Sequence, residues 1–310
     1  MRILVTGADG FVGGWLVRAL LAAGHSVAGT RRSDDVVSPV LTAEETHAVE
    51  WRLLNLRSTT SVHAAVWGTW DAVVHLAAVS SGSEARKDPG LAWEVNAAGT
   101  ARLADALVPG SPLLLLVSTG EVYGQGSGAP HDELDPVAPC SPYAASKAAS
   151  ELAALEAARR AGLGVMIARP FPHTGPGQDG RFVLPALAAR LKTAHRIGAP
   201  AITTGSLEPV RDFLDVRDVV AAYLALLTAG RTGETYNIAS GVGHRLADLL
   251  DRMQRHLGSR VIAEYDAALA RGSDILHLVG DASRLRAATG WMPSIPLDRT
   301  LQELLDAQTD

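Results

Sequence analysis

Short apolar runs rich in Val, Ile and Leu alternate, through the first half of the chain, with longer stretches in which apolar residues recur every three or four positions. A run of about four to eight apolar residues bounded by turn residues fits a strand covered on both faces, whereas the longer period fits a helix. The pattern predicts strands at about residues 2–6, 26–30, 49–53, 71–76, 112–118 and 163–168. Between the first two, Phe11, Val12, Trp15, Leu16, Ala19 and Leu20 share one helical face, and Gly24 stands where a left-handed C-cap closes that helix. Strands alternating with helices in this way predict right-handed βαβ units and an α/β fold with a doubly wound parallel sheet. After residue 169 the rhythm is broken by Pro170, Pro172, Pro176, Pro185, Pro200 and Pro209, which leave only short elements between them. The longest turn-rich connection runs from Gly124 to Pro142, and long ordered loops tend to be functional.

Composition narrows the possibilities. The chain has 310 residues, 47% of them hydrophobic, enough for a substantial core in one large or two closely joined domains. A formal net charge of -5, without a block of like charges, gives no footprint for nucleic acid or an anionic membrane. No apolar stretch approaches the ~20 residues of a membrane span, and the first residues run straight into a glycine turn, so neither anchor nor signal peptide is expected. Cys140 is the single cysteine, which excludes an internal disulfide and a multi-cysteine metal site and suits a reducing cytoplasm. The ten histidines form no metal-ligand spacing with Asp or Glu, so no catalytic metal is expected.

Gly7, Gly10 and Gly13 lie between the first strand and its helix with the spacing G-x-x-G-x-x-G. The first glycine permits the tight turn, the second lets backbone approach a pyrophosphate, and the third lets helix pack on strand, with the helix N-terminus at Phe11 and Val12 aimed at the phosphates. A dinucleotide-binding domain is therefore expected over residues 1–168, with 206–240 returning to it, and a smaller substrate-binding region over 169–205 and 241–310. The second strand ends in Thr30, Arg31 and Arg32 rather than in an acid that would hold two ribose hydroxyls. Two guanidinium groups can clasp a 2′-phosphate, which favours NADP(H) and leaves NAD(H) possible. The competing reading is a solvated arginine pair, with Asp34 or Asp35 reaching the ribose.

Tyr143 and Lys147, four residues apart behind Pro142, fall on one face of a predicted helix. A phenol titrates near 10 unless perturbed, and an ammonium beside it would bring it toward neutrality, so the pair can act as a proton shuttle. Ser118, Thr119, Gly120, Glu121, Val122, Tyr123 and Gly124 follow the apolar strand Leu113–Val117 at its C-terminal end, where ligands of open α/β sheets bind. Thr119 would hydrogen-bond a reacting oxygen, and Glu121 would face a substrate as a hydrogen-bonding partner or as a base. The competing readings are a strand-end turn for Thr119 and a solvated carboxylate for Glu121.

With these anchors in this order, the chain resembles the extended short-chain dehydrogenase/reductases, Rossmann-fold enzymes of nucleotide sugars, over essentially its whole length. Further landmarks are His75-Leu76-Ala77-Ala78, Asn96 in Asn-Ala-Ala-Gly-Thr, Arg211-Asp212-Phe213, and Asp215, Val216 and Asp218. Arg169-Pro170-Phe171, His173-Thr174-Gly175-Pro176-Gly177-Gln178 and Tyr236-Asn237-Ile238-Ala239-Ser240-Gly241 are most similar to the GDP-mannose 4,6-dehydratase and GDP-4-keto-6-deoxymannose reductase branch. The tail fits as well, with Arg271 and Asp274 where the family has Arg-Pro-x-Asp, then Gly290-Trp291-x-Pro293.

The resemblance implies that Gly7, Gly10, Phe11, Val12, Gly13, Thr30, Arg31, Arg32, Asn55, Leu56, Leu76, Ala77, Ala78, Asn96, Tyr143, Lys147 and Pro170 hold the cofactor. It implies Ser80, Glu121, His173, Val183, Arg211 and Arg271 for the nucleotide-diphosphate sugar, the two arginines clamping its pyrophosphate. Asp212 and Asp274 offer both arginines a structural ion pair instead, and His173 has a packing role as its alternative.

Two departures narrow the transfer: Pro172 replaces an asparagine that binds substrate, and Gly120 replaces the polar residue that assists elimination in the dehydratases. The first expectation is thus an NADPH-dependent reductase of an NDP-4-keto-6-deoxyhexose, GDP-linked by preference, in deoxysugar biosynthesis, with Tyr143, Lys147, Thr119 and Glu121 as its catalytic set. The alternatives are a 4-epimerase or 4,6-dehydratase that retains its NAD(P), and a catalytically silent dinucleotide sensor. Ala145, Ala149 and Ala153 would allow close packing of the helix they share, and with the resemblance this leads to the expectation of a homodimer.

Overall fold

The computed structural model describes residues 1–36, 38–126, 128–269 and 275–307. The chain begins β1 (Arg2–Thr6), α1 (Phe11–Ala22), β2 (Ser26–Arg31), α2 (Ala43–His47), β3 (Glu50–Leu53), α3 (Thr59–Val66) and β4 (Ala72–His75). Next come α4 (Gly82–Lys87), α5 (Pro89–Ala92), a π-helical turn (Trp93–Ala98), α6 (Gly99–Leu107), β5 (Leu113–Val117), a 3-10 turn (Gly120–Tyr123), α7 (Pro142–Ala161) and β6 (Val165–Pro170). Shorter elements follow: β7 (His173–Thr174), α8 (Val183–Ile197), β8 (Ala201–Thr204), β9 (Val210–Asp212), β10 (Leu214–Asp215), α9 (Val216–Ala229) and β11 (Thr235–Ile238). The chain closes with β12 (Gly243–Arg245), α10 (Leu246–Leu257), β13 (Ile262–Tyr265), β14 (His277–Leu278), α11 (Ser283–Thr289) and α12 (Leu297–Asp306).

Seven parallel strands form the main sheet in the order β11-β6-β5-β4-β1-β2-β3. Each of the six predicted strands matches one of these within about two residues. Two apolar layers explain the near-continuous hydrophobic runs. Ile3, Val5, Val74, Leu115 and Val117 point to one face with Leu16, Leu20, Val219 and Leu226, while Leu4, Val73, Leu114 and Leu116 point to the other with Leu103, Ala154 and Ala157. A third core, built from Leu187, Leu191, Leu249, Met253, Leu301 and Leu304, joins α8, α10 and α12 into the smaller lobe. β11, far along the chain, hydrogen-bonds along β6 as the seventh strand.

The order of connection reverses between β1 and β4, the kind of switch point at which open α/β sheets bind their ligands. The two strand ends are tied by a buried chain of bonds. Thr6 Oγ1 accepts the amides of Leu76 and Ala77 at 3.2 and 3.1 Å and lies 2.7 Å from His75 Nδ1, while His75 Nε2 lies 3.1 Å from Thr100 Oγ1. Burial pulls His75 down to about 3, so the ring is neutral, and the arrangement fits a proton on Nε2.

Three buried carboxylates attach the later segments to the sheet. Asp215 caps α9 through the Arg217 amide and takes the Thr300 hydroxyl, and Asp218 takes the amides of Ser294 and Ile295. Asp212 accepts Ser240 N–H and O–H on one oxygen, and Gly241 N–H at 2.8 Å and Gly280 N–H at 3.3 Å on the other. Burial nevertheless holds the Asp212 carboxyl above its usual range. In Asp212→Asn the amide nitrogen would face donors that need an acceptor, so a loss of stability on the order of 2 kcal/mol is expected, read as an earlier urea midpoint.

Candidate active site

The turn after β1 is shaped for close approach. Gly7 has φ +69, and a Cβ there would lie 3.0 Å from Ala77 Cα, so the loops after β1 and β4 touch through backbone alone. A Cβ on Gly13 would lie 2.1 Å from Gly7 O, which leaves no room for a side chain between turn and helix. Gly10 is the N-cap of α1 and supplies no side-chain acceptor, so the amides of the first turn, beginning with Phe11 and Val12, remain available to an anion. The residues present fit a dinucleotide pyrophosphate.

At the end of β2 the three predicted residues part company. Thr30 is buried and its Oγ1 accepts the Gly7 amide at 3.1 Å, which makes it a support of the glycine turn. Arg31 lies over the Trp51 ring at 5.4 Å and bonds Asp34 at 2.5 Å, and its Nε is buried without a partner. Asp34, named as a competitor for the ribose, is thus held by Arg31. Arg32 acts electrostatically on the half-buried Asp9, whose carboxyl burial holds above its usual range.

Other expected cofactor contacts have structural partners. Leu56 is in the core, where its Cβ lies 2.8 Å from the place a Gly99 Cβ would take, and Asn55 is exposed and caps the Arg57 amide. Asn96, turned inward by the π-helical turn, bonds Val79 N at 2.8 Å and Val79 O at 3.1 Å and donates to Ser146 Oγ at 2.9 Å. Leu76, Ala77 and Ala78 line the loop after β4 and Pro170 closes β6, all near the sheet's C-terminal edge.

Thr119, Tyr143 and Lys147 converge at that edge. Ser141 caps α7 by accepting the Ala144 amide and Pro142 opens the helix, which places Tyr143 in its first turn. Thr119 Oγ1 accepts the Glu121 amide at 3.2 Å, leaving its own proton for the Tyr143 oxygen, with which it hydrogen-bonds. Lys147 is buried, and its ammonium donates to the Val117 carbonyl at 2.5 Å.

The electrostatics differ from the expected proton shuttle. Burial and the Glu121 charge push the Tyr143 phenol above its ordinary value, and the Thr119 hydroxyl pulls it only partly back. The Lys147 ammonium, directed at a carbonyl, does not offset this. Lys147 itself is brought down to about 8 by burial, against which the Glu151 charge works upward. In the protein alone the phenol therefore keeps its proton.

Two features escaped sequence reasoning. Phe171 packs where a side chain on Gly120 would go, since a Cβ there would lie 2.9 Å from the ring; a Cβ on Gly280 would meet the same ring at 2.4 Å. Behind the site runs a buried polar chain: Glu151 takes Arg169 Nε at 2.9 Å and Nη2 at 2.6 Å, Arg169 donates to Tyr123 Oη at 2.9 Å, and Tyr123 donates to Asn237 at 2.7 Å. Asn237 in turn donates to the His131 carbonyl at 2.9 Å, tying the long loop after Gly124 to β11. The four-residue step from Lys147 to Glu151 was a readable signal; the Arg169 partnership was not.

Among the expected substrate residues, His173 is half-buried with Nδ1 2.9 Å from the Phe171 carbonyl, and burial lowers its basicity, so it is neutral with Nε2 as acceptor. Ser80 is exposed beyond β4, Val183 opens α8, and Arg211 lies on β9 donating to the Val210 carbonyl at 2.9 Å. The oxygens of Asp212, the ion-pair alternative for Arg211, accept from Ser240, Gly241 and Gly280. Arg271 and Asp274 lie outside the described residues. Among the described residues no cluster of His, Cys, Asp and Glu is placed to hold a metal ion, and no helix is long and apolar enough to cross a membrane.

The model of the NAD dependent epimerase/dehydratase family matches residues 3–239. The chain belongs to this family. It is therefore an NAD(P)-dependent enzyme acting on nucleotide sugars. It is 34% identical to a GDP-6-deoxy-D-mannose reductase of Pseudomonas aeruginosa, over 98% of this chain and 96% of the relative. A UDP-glucose 4-epimerase of Mycolicibacterium smegmatis is 32% identical, over 96% and 95% of the two chains. Among solved structures, RMD from Pseudomonas aeruginosa complexed with NADPH superposes with a TM-score of 0.82 at 32% identity, over 99% of this chain and 98% of the other. The UDP-glucose 4-epimerase of Thermus thermophilus in complex with NAD superposes at 0.87 with 29% identity, over 99% and 98%.

Gly13→Ala forces a methyl against Gly7 O. Dinucleotide affinity should fall at least ~tenfold in calorimetric titration, about 1.4 kcal/mol; unaltered affinity would place the cofactor elsewhere.

Proposed function

We propose that this enzyme is an NADPH-dependent reductase of a nucleoside-diphosphate 4-keto-6-deoxyhexose, with the GDP sugar preferred. The observation that carries the reading is a phenol held protonated by burial and aligned by the Thr119 hydroxyl, an arrangement suited to giving a proton to a carbonyl oxygen. The Phe171 ring over Gly120 supports it, because it leaves that position no room for a second acid or base. The resemblance to the Pseudomonas aeruginosa reductase points the same way.

The glycine turn and the amides of Phe11 and Val12 would hold the pyrophosphate, Arg31 and Arg32 the 2′-phosphate, and Lys147 the nicotinamide ribose. When bound, the reduced dinucleotide supplies the hydride. Tyr143 gives its proton to the C4 oxygen, Thr119 donates a hydrogen bond that aligns it, and Glu121 contacts the sugar. Arg211 and, in the undescribed segment, Arg271 would clamp the substrate pyrophosphate. The same reading takes the enzyme as a cytoplasmic homodimer paired through α7, whose outer face carries Leu152 at 66% exposure.

A second reading, an epimerase or dehydratase that retains its dinucleotide, draws on Glu121, whose charge acts at Tyr143 and which could serve as a base. Stoichiometry separates the two. With GDP-4-keto-6-deoxymannose, one NADPH should be oxidised per sugar reduced, and Tyr143→Phe should lower kcat by ~100-fold or more. Turnover without added NADPH, by protein that retains NADP through purification, would favour the second reading. Replacing Arg31 and Arg32 together by alanine should raise KM for NADPH by ~tenfold or more while leaving that for NADH little changed; an equal effect on both would remove the 2′-phosphate assignment.

A further inference from the structure

The buried groups around Lys147 do not balance pairwise. On α7 the lysine is followed one turn later by Glu151, and Arg169 on β6 lies against the same carboxylate, its side chain 7% exposed beside the 6% of Glu151. Two cations thus share one anion in a region closed to water. Arg169 occupies both carboxylate oxygens, Nε on Oε1 at 2.9 Å and Nη2 on Oε2 at 2.6 Å, while the ammonium turns to the Val117 carbonyl. The register places Val117 beside Ala168, so carbonyl and guanidinium lie on neighbouring strands at the same level.

We propose that Glu151 is a positioning residue: held by the Arg169 fork, it supplies the charge that keeps Lys147 protonated, without drawing the ammonium away from the sheet edge. A single Lys147–Glu151 pair would neutralise the lysine and also retract it. Glu151 accepts the Arg169 fork on both oxygens while the ammonium is bonded to the Val117 carbonyl, so the carboxylate acts on the lysine through its field. The proposal rests on the reading of Lys147 as the group beside Tyr143 and the nicotinamide ribose.

Other groups packed around the lysine do not supply the charge. His75 on β4 is neutral, Tyr143 keeps its proton, and Tyr123, pushed up to about 12, is neutral as well. Glu121 lies at the Tyr143 end. On α4, Glu84 pairs with Arg181, and Arg86 and Lys87 are cations; on the π-helical turn and α6, Glu94 pairs with Arg57 and Asp105 with Arg160, and Arg102 donates to the Leu56 carbonyl. The effect of the Glu151 charge on Lys147 is upward, opposing burial.

The chain has only three lysines, Lys87, Lys147 and Lys192, so protein labelled with 13C at lysine gives a simple spectrum that Lys87→Arg and Lys192→Arg assign. In Glu151→Gln the Lys147 titration midpoint should fall by at least one pH unit, a tenfold loss in the charged-to-neutral ratio, and Glu151→Asp should recover most of it. An unchanged or raised midpoint would overturn the proposal, whatever happened to the melting temperature. If Glu151→Gln does not fold, Glu151→Gln/Arg169→Met, which leaves no orphaned guanidinium, is compared with Arg169→Met, which keeps the carboxylate; equal midpoints in those two overturn it equally. The titration is done without cofactor or sugar, so it stands even if the protein reduces no ketosugar. In an active reductase, the alkaline fall of kcat should also move to lower pH in Glu151→Gln.

Discussion

A parallel sheet covered on both faces can expose polar chemistry only where its strands end, and everything chemical in this molecule follows from that constraint. The middles of strands β1, β4, β5 and β6 are apolar, Thr6, His75 and Arg169 lie near their C-terminal ends, and the strands then deliver Gly7, Leu76, Ser118 and Phe171 to one edge. The backbone there must approach a ligand closely, which is why Gly7 and Gly13 tolerate no Cβ. Lys147, Glu151 and Arg169 are buried behind the same edge, so these ionisable groups feel a low dielectric.

Burial works in opposite directions on Tyr143 and Lys147 of α7. It raises the phenol of Tyr143 and lowers the ammonium of Lys147, in each case toward the uncharged form. The hydroxyl of Thr119 and the charge of Glu151 each resist one of these shifts. Burial outweighs the Thr119 hydroxyl, so the proton stays on the group proposed to give it away. The buried bonds from Glu151 through Arg169, Tyr123 and Asn237 to the long loop make the rear wall of the site one connected body.

The contrast between the glycine turn and the second strand end shows why some residues were legible and others not. Gly7, Gly10 and Gly13 have a spacing that only a tight turn into a helix explains, so their part could be read from order alone. Thr30 was grouped with Arg31 and Arg32 by adjacency, yet alternation along a strand turns its side chain inward to the Gly7 amide. Leu56 and Asn96 were likewise assigned to a ligand by resemblance, and the fold gives them packing and hydrogen-bonding partners within the protein. A lowering of Tyr143 by Lys147 was expected from their spacing and is not found, because a carbonyl at the end of β5 takes the ammonium.

By itself the sequence determined what depends on neighbours along the chain: the strand and helix periods, the glycine that closes α1, the proline that opens α7, the phosphate-shaped turn, and the four-residue step that puts Tyr143 and Lys147 on one helix face. Only the tertiary structure decided which charges oppose which, that Phe171 fills the space over Gly120, and that Asp212 serves amides 28 and 68 residues away. The physical reason is that burial and electrostatic partnership are properties of groups brought together across long loops, and a linear pattern carries periodicity but not that distance.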